Sequence, residues 1–122
     1  MKLSKKDIEL VKRTKKLIFK RKNKKSSVAC CLITMEGKIF EGINIFIKKS
    51  APCSMCAEYV AIGSMFTEGN YKIDCIVSVH QKNGVIPPCG QCRQLISSFG
   101  NPYIILGDIK LKLSEIYIFQ YK

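Results

Sequence analysis

The sequence predicts an α/β fold, in which a mixed central β-sheet of about five strands is flanked by helices. Two apolar runs rich in strand-forming residues flank the turn signal Glu36-Gly37, and helical and strand-like segments alternate after them. Such alternation after an opening hairpin is typical of a sheet with helices packed against it. The chain has 122 residues, 47% of them hydrophobic, and no long linker. We therefore expect a single domain over residues 1–122 with one core.

The first predicted element is a basic helix over about residues 4–22. Ser4 and Asp7 have the spacing of a capping box, and the apolar residues that follow recur at helical spacing. Residues 1–25 hold 12 of the 21 basic side chains, so most of the net charge of +12 belongs to this segment. Nearly all of these side chains are lysines, whereas phosphate-reading surfaces favour arginine. We interpret the segment as a solvated helix face and do not favour a nucleic-acid partner.

The other elements follow from apolar spacing and from turn residues. Continuous or alternating apolar runs predict strands, and apolar residues three and four apart predict helices. In order, they are strands over 28–35 and 38–46, a helix from about 54 to 66, a strand over 73–79, a helix over 90–99, a strand over 103–106, and a strand or helical turn within 109–121. The segment 84–88 is predicted to be a loop, because Pro87 and Pro88 block both a helix and a central strand.

The cysteine content bears on both compartment and chemistry. Seven cysteines in 122 residues is a high and odd number. No apolar run is long enough for a membrane span, and the N-terminus lacks the apolar core of an export signal. We therefore expect a cytoplasmic protein with no membrane association, whose thiols stay reduced and serve metal binding or catalysis rather than disulfides.

Two cysteine pairs, Cys53/Cys56 and Cys89/Cys92, have the two-residue gap that metal chelation uses. Both are expected where a helix begins, with Cys56 in the first turn of a helix that starts near Ser54. The positive end of the helix dipole there favours the thiolate, and zinc suits such ligands. Four thiolates would make a closed structural module, whose basic helix could bind nucleic acid. Three would leave an open catalytic position, which Glu58 favours because a carboxylate beside water can carry protons.

The segment Cys56-Ala57-Glu58, followed by Pro88-Cys89-Gly90-Gln91-Cys92-Arg93-Gln94, resembles the signature of the cytidine deaminases that act on free nucleosides. Residues 28–44 are similar to the first hairpin of that family. The resemblance implies one Zn²⁺ held by Cys56, Cys89 and Cys92, with water as fourth ligand. Glu58 would then move a proton from that water to the ring nitrogen and on to the leaving amine.

The resemblance also implies contacts with the substrate. Asn44 would bind the nucleoside, and the backbone N–H of Ala57 would bind the base carbonyl. Three thiolates leave the zinc site with a net negative charge, and we expect the neighbouring Arg93 to offset part of it. Phe46 stands where typical members have a ribose-binding glutamate, and Ser26 stands near the position of their base-stacking aromatic residue.

These departures, together with Tyr59 in place of an arginine, resemble blasticidin-S deaminases. The implied reaction is hydrolytic deamination of a free cytosine nucleoside, cytidine or deoxycytidine, to the uracil nucleoside and ammonia, as in pyrimidine salvage. Blasticidin S or another modified cytosine nucleoside is the alternative substrate. The family further implies a homotetramer, or a dimer, in which a C-terminal aromatic residue, best matched by Phe119, reaches a neighbouring pocket.

The other cysteines and the histidine receive simpler interpretations. Cys53 is expected to be a free thiol at the mouth of the pocket. Cys30, Cys31 and Cys75 lie in apolar strand segments and are expected to be small buried residues. His80, which ends a predicted strand, is expected to cap a loop rather than to bind metal.

Overall fold

A computed structural model describes residues 1–23 and 26–119 of the chain. Four α-helices and six strands are assigned within these residues, and Ala51–Cys53 forms one turn of 3-10 helix. The elements, in chain order, are α1 (Lys5–Arg21), β1 (Val28–Thr34), β2 (Ile39–Ile43), α2 (Ala57–Thr67), β3 (Ile73–His80), β4 (Gly84–Ile86), α3 (Gly90–Ser97), β5 (Tyr103–Ile105), β6 (Lys110–Lys112) and α4 (Leu113–Ile116).

The strands form one mixed sheet in the order β2-β1-β3-β5-β6, and β4 pairs with the end of β3. The β3–β5 pair is parallel and the other pairs are antiparallel. The predicted opening hairpin is present, with Ala29 opposite Ile43 and Ile33 opposite Ile39. The α/β class with a mixed central sheet is therefore confirmed.

The sheet separates two hydrophobic layers, and β1 contributes to both. Cys30 and Leu32 join the cluster formed with α2, α3 and α4. Ala29 and Cys31 belong to the cluster formed with α1. Successive side chains of a strand point to opposite faces, so the continuous apolar run of β1 follows from burial on both faces. Cys75 is also buried, which confirms the interpretation of these strand cysteines.

The basic helix α1 lies on the face of the sheet opposite to α2. Ser4 and Asp7 form the predicted capping box at its beginning. The carboxylate of Asp7 also pairs with Lys110 of β6, at 2.7 Å between Nζ and Oδ2. Side chains such as Lys12 and Lys16 are exposed, as expected for a solvated face. Among the helices of the described residues, none is both long and apolar enough to cross a membrane.

Several predicted boundaries differ from the observed ones. The segment 84–88 is not entirely a loop, because β4 occupies Gly84–Ile86. Its prolines come directly after the strand, and β4 pairs with one neighbour at the sheet edge, so they remove no ladder hydrogen bond. The second strand ends at Ile43 rather than Phe46. The 109–121 segment forms both β6 and α4 within its described part, and its residues 120–121 lie outside the described residues.

Candidate metal centre and active site

Three cysteine sulfurs converge where two helices begin. Cys56 is the N-cap residue of α2, and Cys89 is the N-cap residue of α3, with Cys92 in the first turn of that helix. The helix containing Glu58 thus starts at Ala57, not near Ser54 as predicted, since residues 51–53 form the separate 3-10 turn. Cys56 consequently precedes the first turn of α2 and lies beside its unpaired N–H groups.

The three sulfurs, those of Cys56, Cys89 and Cys92, all lie within 4.8 Å of one another. Zinc–sulfur bonds of about 2.3 Å in a tetrahedral site separate sulfurs by roughly 3.8 Å, so small side-chain adjustments suffice for coordination. Thiolates are ligands that zinc prefers, and the helix dipoles favour their negative charge. The three cysteines therefore fit one zinc ion per chain.

Cys53 does not belong to this group. It is exposed in the 3-10 turn, and its Sγ lies 3.2 Å from Oγ of Ser50. Its neighbour Ser54, rather than Cys53 itself, lines the pocket beside the cluster. Cys53 is thus a free thiol as predicted, although its placement at the pocket mouth is not observed. Among residues 1–23 and 26–119, no fourth sulfur joins the three, as a closed four-cysteine site would require.

The surroundings shift the pKa values of the three thiols in different directions. Burial raises the pKa of Cys92 far above its usual range, and the nearby Glu58 carboxylate raises it further. Burial also raises the pKa of Cys56. Burial opposes ionisation of Cys89 too, but the backbone N–H of Cys92, 3.4 Å from the Cys89 sulfur, lowers its pKa below the usual value. A bound cation would replace the thiol protons, so metal binding is expected to weaken as pH falls.

Glu58 lies in the first turn of α2 and is 5% exposed. Burial raises the pKa of its carboxyl group, an effect that hydrogen bonds from its own backbone N–H and from Ser78 and Cys92 partly offset. Buried carboxylates are costly unless they are paired or hydrogen-bonded. A carboxyl group with a raised pKa beside the three cysteines is suited to taking up and giving back a proton.

A pocket of about 270 Å³ opens beside the sulfurs. Six of the side chains that the sequence singled out line it, namely Asn44, Phe46, Cys56, Ala57, Glu58 and Cys89. The other lining residues are Val28, Ile45, Ser54, Met55, Ile86 and Pro87. The volume is slightly below the usual range for small-molecule sites. The sequence did not single out Met55 and Ile86, because each looks like an ordinary apolar residue until the loop and β4 bring it to the pocket.

Asn44 is held in place by the strand beside it. Its Oδ1 accepts hydrogen bonds from the backbone N–H groups of Ser27 and Val28, at 2.7 and 2.9 Å. Since a backbone N–H can only donate, the oxygen must face the strand and the amide nitrogen is left for the pocket. Ser26 donates its hydroxyl to the backbone carbonyl of Asn44 at 2.6 Å and is buried. It thus braces the Asn44 segment and is absent from the pocket lining.

Arg93 does not line the pocket, and its guanidinium group binds backbone carbonyls of two separate segments. Its Nε donates to the carbonyl of Pro88 at 2.9 Å, and a terminal guanidinium nitrogen donates to the carbonyl of Ile116 at 2.7 Å. The guanidinium therefore fixes the residue before Cys89 and the end of α4. Sequence spacing placed Arg93 beside the ligands but gave no signal of these long-range contacts.

Neither His80 nor Phe119 belongs to the three-cysteine group or to the lining of the pocket beside it. Nδ1 of His80 accepts hydrogen bonds from the backbone N–H groups of Lys82 and Asn83, which confirms its interpretation as a loop cap. Phe119 is 94% exposed, and its contact with a neighbouring subunit stays a prediction.

Comparison with known proteins agrees with this arrangement. The sequence model of the family described as "Cytidine and deoxycytidylate deaminase zinc-binding region" matches residues 4–108. Blasticidin-S deaminase of Bacillus cereus is 31% identical over 122 residues, which cover 91% of this chain and 85% of that protein. Cytidine deaminase of Mycoplasma genitalium is 42% identical over 72 residues, which cover 58% of this chain and 55% of that protein.

Solved structures share the fold. The crystal structure of cytidine deaminase from Mycobacterium tuberculosis has a TM-score of 0.83 at 17% identity, over 94% of this chain and 96% of that one. Cytidine deaminase from Burkholderia pseudomallei has a TM-score of 0.79 at 24% identity, over 98% and 100%. The family match spans most of the chain and includes the cysteines and Glu58. The chain therefore belongs to the cytidine and deoxycytidylate deaminase family and is a hydrolase that acts on a carbon–nitrogen bond.

Proposed function

We propose that residues 1–122 form one zinc-dependent deaminase domain that hydrolyses a free cytosine nucleoside. Cytidine or deoxycytidine is converted to uridine or deoxyuridine with release of ammonia. The observation that carries this proposal is the position of Glu58, a buried carboxyl group that lines the same pocket as Cys56 and Cys89. A purely structural zinc site has no use for a buried carboxyl group at its edge, which costs stability.

The reaction needs water activation and proton transfer but no change of oxidation state. Zinc, when bound by Cys56, Cys89 and Cys92, supplies a Lewis acid that makes water more acidic. Glu58 takes a proton from the attacking water and gives it to the ring nitrogen. The hydroxide left from that water forms the C–O bond to the ring carbon. Glu58 then takes the second proton from this new hydroxyl group and gives it to the amino group, so that the carbonyl forms, the C–N bond breaks and ammonia leaves. The raised pKa of Glu58 suits both directions of transfer.

Other residues orient the nucleoside and support the centre. The backbone N–H of Ala57, in the first turn of α2, donates to the carbonyl of the base. The amide nitrogen of Asn44 donates to the sugar, and Phe46 lies against it at the pocket mouth. Arg93 holds the backbone before Cys89 in place and brings a positive charge near the thiolates. It acts as a positioning residue rather than as a contact of the substrate.

Blasticidin S, or another modified cytosine nucleoside, is the second candidate substrate. The Bacillus cereus relative with 31% identity over 91% of this chain favours it. The same reaction at the same ring atoms would apply, and only the group attached to the base would differ. Assays should therefore include cytidine, deoxycytidine and blasticidin S.

We further propose a cytoplasmic enzyme of pyrimidine salvage that works as a homotetramer or a dimer. Reduced thiols are needed at the metal centre, which suits the cytoplasm. Phe119 is 94% exposed near the C-terminus, and an exposed ring of this size is suited to stacking in a neighbouring subunit's pocket. Nucleic acid is not the proposed partner, since the basic helix α1 lies on the face of the sheet opposite to the metal centre.

The test is ammonia release by zinc-loaded protein, followed together with the ultraviolet change from cytosine to uracil. Glu58→Gln should retain one zinc per chain and lose at least about a thousandfold in kcat, since the group that moves both protons is gone. Glu68→Gln, an exposed change at the other end of the same helix, should keep normal activity. A Glu58→Gln protein that deaminates at the wild-type rate, or a wild-type protein inactive on all three nucleosides, would overturn the proposal.

A further inference from the structure

A buried serine of the sheet faces the helix that carries Glu58. Ser78 of β3 is 3% exposed and lies directly opposite Cys30 of β1. Residues directly opposite each other on antiparallel strands share a face of the sheet. Cys30 belongs to the hydrophobic cluster that includes α2, so the side chain of Ser78 points toward that helix. Ser78 and Glu58 also line the same small void, which has no room for a water molecule.

The hydroxyl group of Ser78 connects a buried thiol to the carboxylate of Glu58. It is hydrogen-bonded to Glu58 and also to Cys30. Burial raises the pKa of Cys30 well above its usual range, so this thiol keeps its proton and can donate it. A serine hydroxyl has one proton to donate and lone pairs to accept with. The thiol of Cys30 therefore donates to Ser78, and the proton of Ser78 is directed to Glu58.

The donors that reach the carboxylate of Glu58 differ in their response to metal. They are its own backbone N–H, the hydroxyl of Ser78 and the thiol of Cys92. A cysteine that binds zinc has lost its proton, so Cys92 stops donating when the metal is held. Ser78 is not one of the three clustered cysteines and keeps its hydroxyl proton. In the metal-loaded protein, Ser78 is therefore the side chain of these donors that still holds the carboxylate.

We propose that Ser78 is a positioning residue for the proton transfers of Glu58, because its hydroxyl anchors the carboxylate to β3 and so fixes the direction in which it faces the pocket. This inference rests on the proposed function, in which Glu58 moves two protons. A carboxylate without this anchor rotates more freely and is less often in the geometry that proton transfer needs. Ser78 does not line the pocket, so its loss should slow the chemical step and leave nucleoside binding unchanged.

The first experiment measures kcat and KM of the zinc-loaded full chain on the cytosine nucleoside that the wild type deaminates. Ser78→Ala should lower kcat roughly tenfold and leave KM within about twofold, with one zinc per chain retained. Ser78→Thr keeps the hydroxyl and should retain at least about half of kcat. Thr14→Val is a matched control, because it removes a buried hydroxyl of α1, which donates to the carbonyl of Leu10 at 2.7 Å across the sheet from the pocket. Its kcat should equal that of the wild type.

The second experiment tests the contact itself in the metal-free protein, by urea unfolding and without any measurement of activity. Ser78→Ala in the wild-type background should lower the urea midpoint by roughly 1 M, because a buried carboxyl group loses a hydrogen-bond partner. In the Glu58→Leu background the same change should shift the midpoint by less than about 0.3 M, since no carboxyl group remains to bind the hydroxyl. Equal shifts in the two backgrounds would show that the two side chains do not interact and would overturn the proposal.

The outcomes separate this inference from the function beneath it. A Ser78→Ala protein with the wild-type kcat overturns the positioning role and leaves the deaminase assignment standing. So does a Ser78→Thr protein that loses as much kcat as Ser78→Ala while it binds zinc and unfolds like the wild type. A wild-type protein that is inactive on every cytosine nucleoside overturns the proposed function and the positioning role together, and the unfolding comparison then still decides whether Ser78 holds the carboxylate.

Discussion

The contact between β2 and α2 leaves no room for a side chain at Gly42. A Cβ atom there would lie 2.5 Å from the backbone nitrogen of Ala61, 2.7 Å from the carbonyl oxygen of Ala57 and 2.9 Å from Cβ of Val60. Two of these atoms belong to helical backbone, so no rotamer change can relieve the overlap. Normal contacts exceed about 3.4 Å, and Gly42→Ala must therefore push α2 away from the sheet by roughly 1 Å.

The expected loss in free energy of unfolding is about 3 kcal/mol, at the upper end of the range for overpacked sites. With a urea m-value near 1.5 kcal/mol/M for a small domain, the midpoint should fall by roughly 2 M. Because α2 carries Cys56 at its N-cap, zinc affinity should fall as well. Gly63→Ala is the matched control on the same helix, where a Cβ meets nothing within 4 Å.

Urea unfolding followed by circular dichroism, with and without a chelator, measures both effects. Gly63→Ala should leave zinc affinity unchanged and raise stability by about 0.5–1 kcal/mol, since alanine is the better helix former. A Gly42→Ala protein with the wild-type midpoint and zinc affinity would refute the claim that this close approach positions the helix.

Three further predictions concern acid stability, metal removal and the metal ligands. Hydrogen bonds from Lys110 and Ser4 outweigh burial and lower the pKa of Asp7, so its stabilisation should be complete above about pH 4 and disappear as pH falls through the lowered value. Asp7→Asn should lower the free energy of unfolding by about 2 kcal/mol at neutral pH and should reduce the fall of the urea midpoint at acid pH. Asp108→Asn, a change at an exposed residue, should leave both quantities unchanged. An Asp7→Asn protein whose urea midpoint falls at acid pH as steeply as that of the wild type would contradict this prediction. Chelation should lower the melting temperature, with zinc at a thousandfold excess over Kd adding roughly 4 kcal/mol. By calorimetry, Cys92→Ser should abolish zinc binding and Cys53→Ser should leave it intact; equal losses would contradict the three-sulfur set.

The family resemblance implied the three cysteines of the metal centre, and the structure brings their sulfurs together. The spacing of Cys89 and Cys92 spans one helical turn, and Cys56 and Glu58 flank a helix N-terminus, so few residues decide where these side chains point. The continuous apolar run over residues 28–35 also predicts a strand, and β1 occupies nearly all of it. The spacing within each segment is local, whereas the meeting of Cys56 with Cys89 and Cys92 depends on how α2 and α3 pack.

The remaining features depend on contacts between distant segments. The sequence predicts a loop where β4 lies, because the prolines after it dominate the local pattern, and only the pairing of β4 with Ser78–His80 reveals a strand. Apolar spacing predicts the start of α2 too early, because it does not distinguish a 3-10 turn from the helix that follows it. The contacts of Arg93 with Pro88 and Ile116 join segments up to 23 residues apart, and spacing gives no signal of them.

The central claim is a metal held by three sulfurs with a position left for solvent beside Glu58. X-ray absorption at the zinc edge of the loaded protein counts these ligands directly. Three sulfurs at about 2.3 Å and one lighter ligand at about 2.0 Å are predicted, in the wild type and in Cys53→Ser alike. Four sulfurs in the wild type would contradict the account, because no position for water would remain.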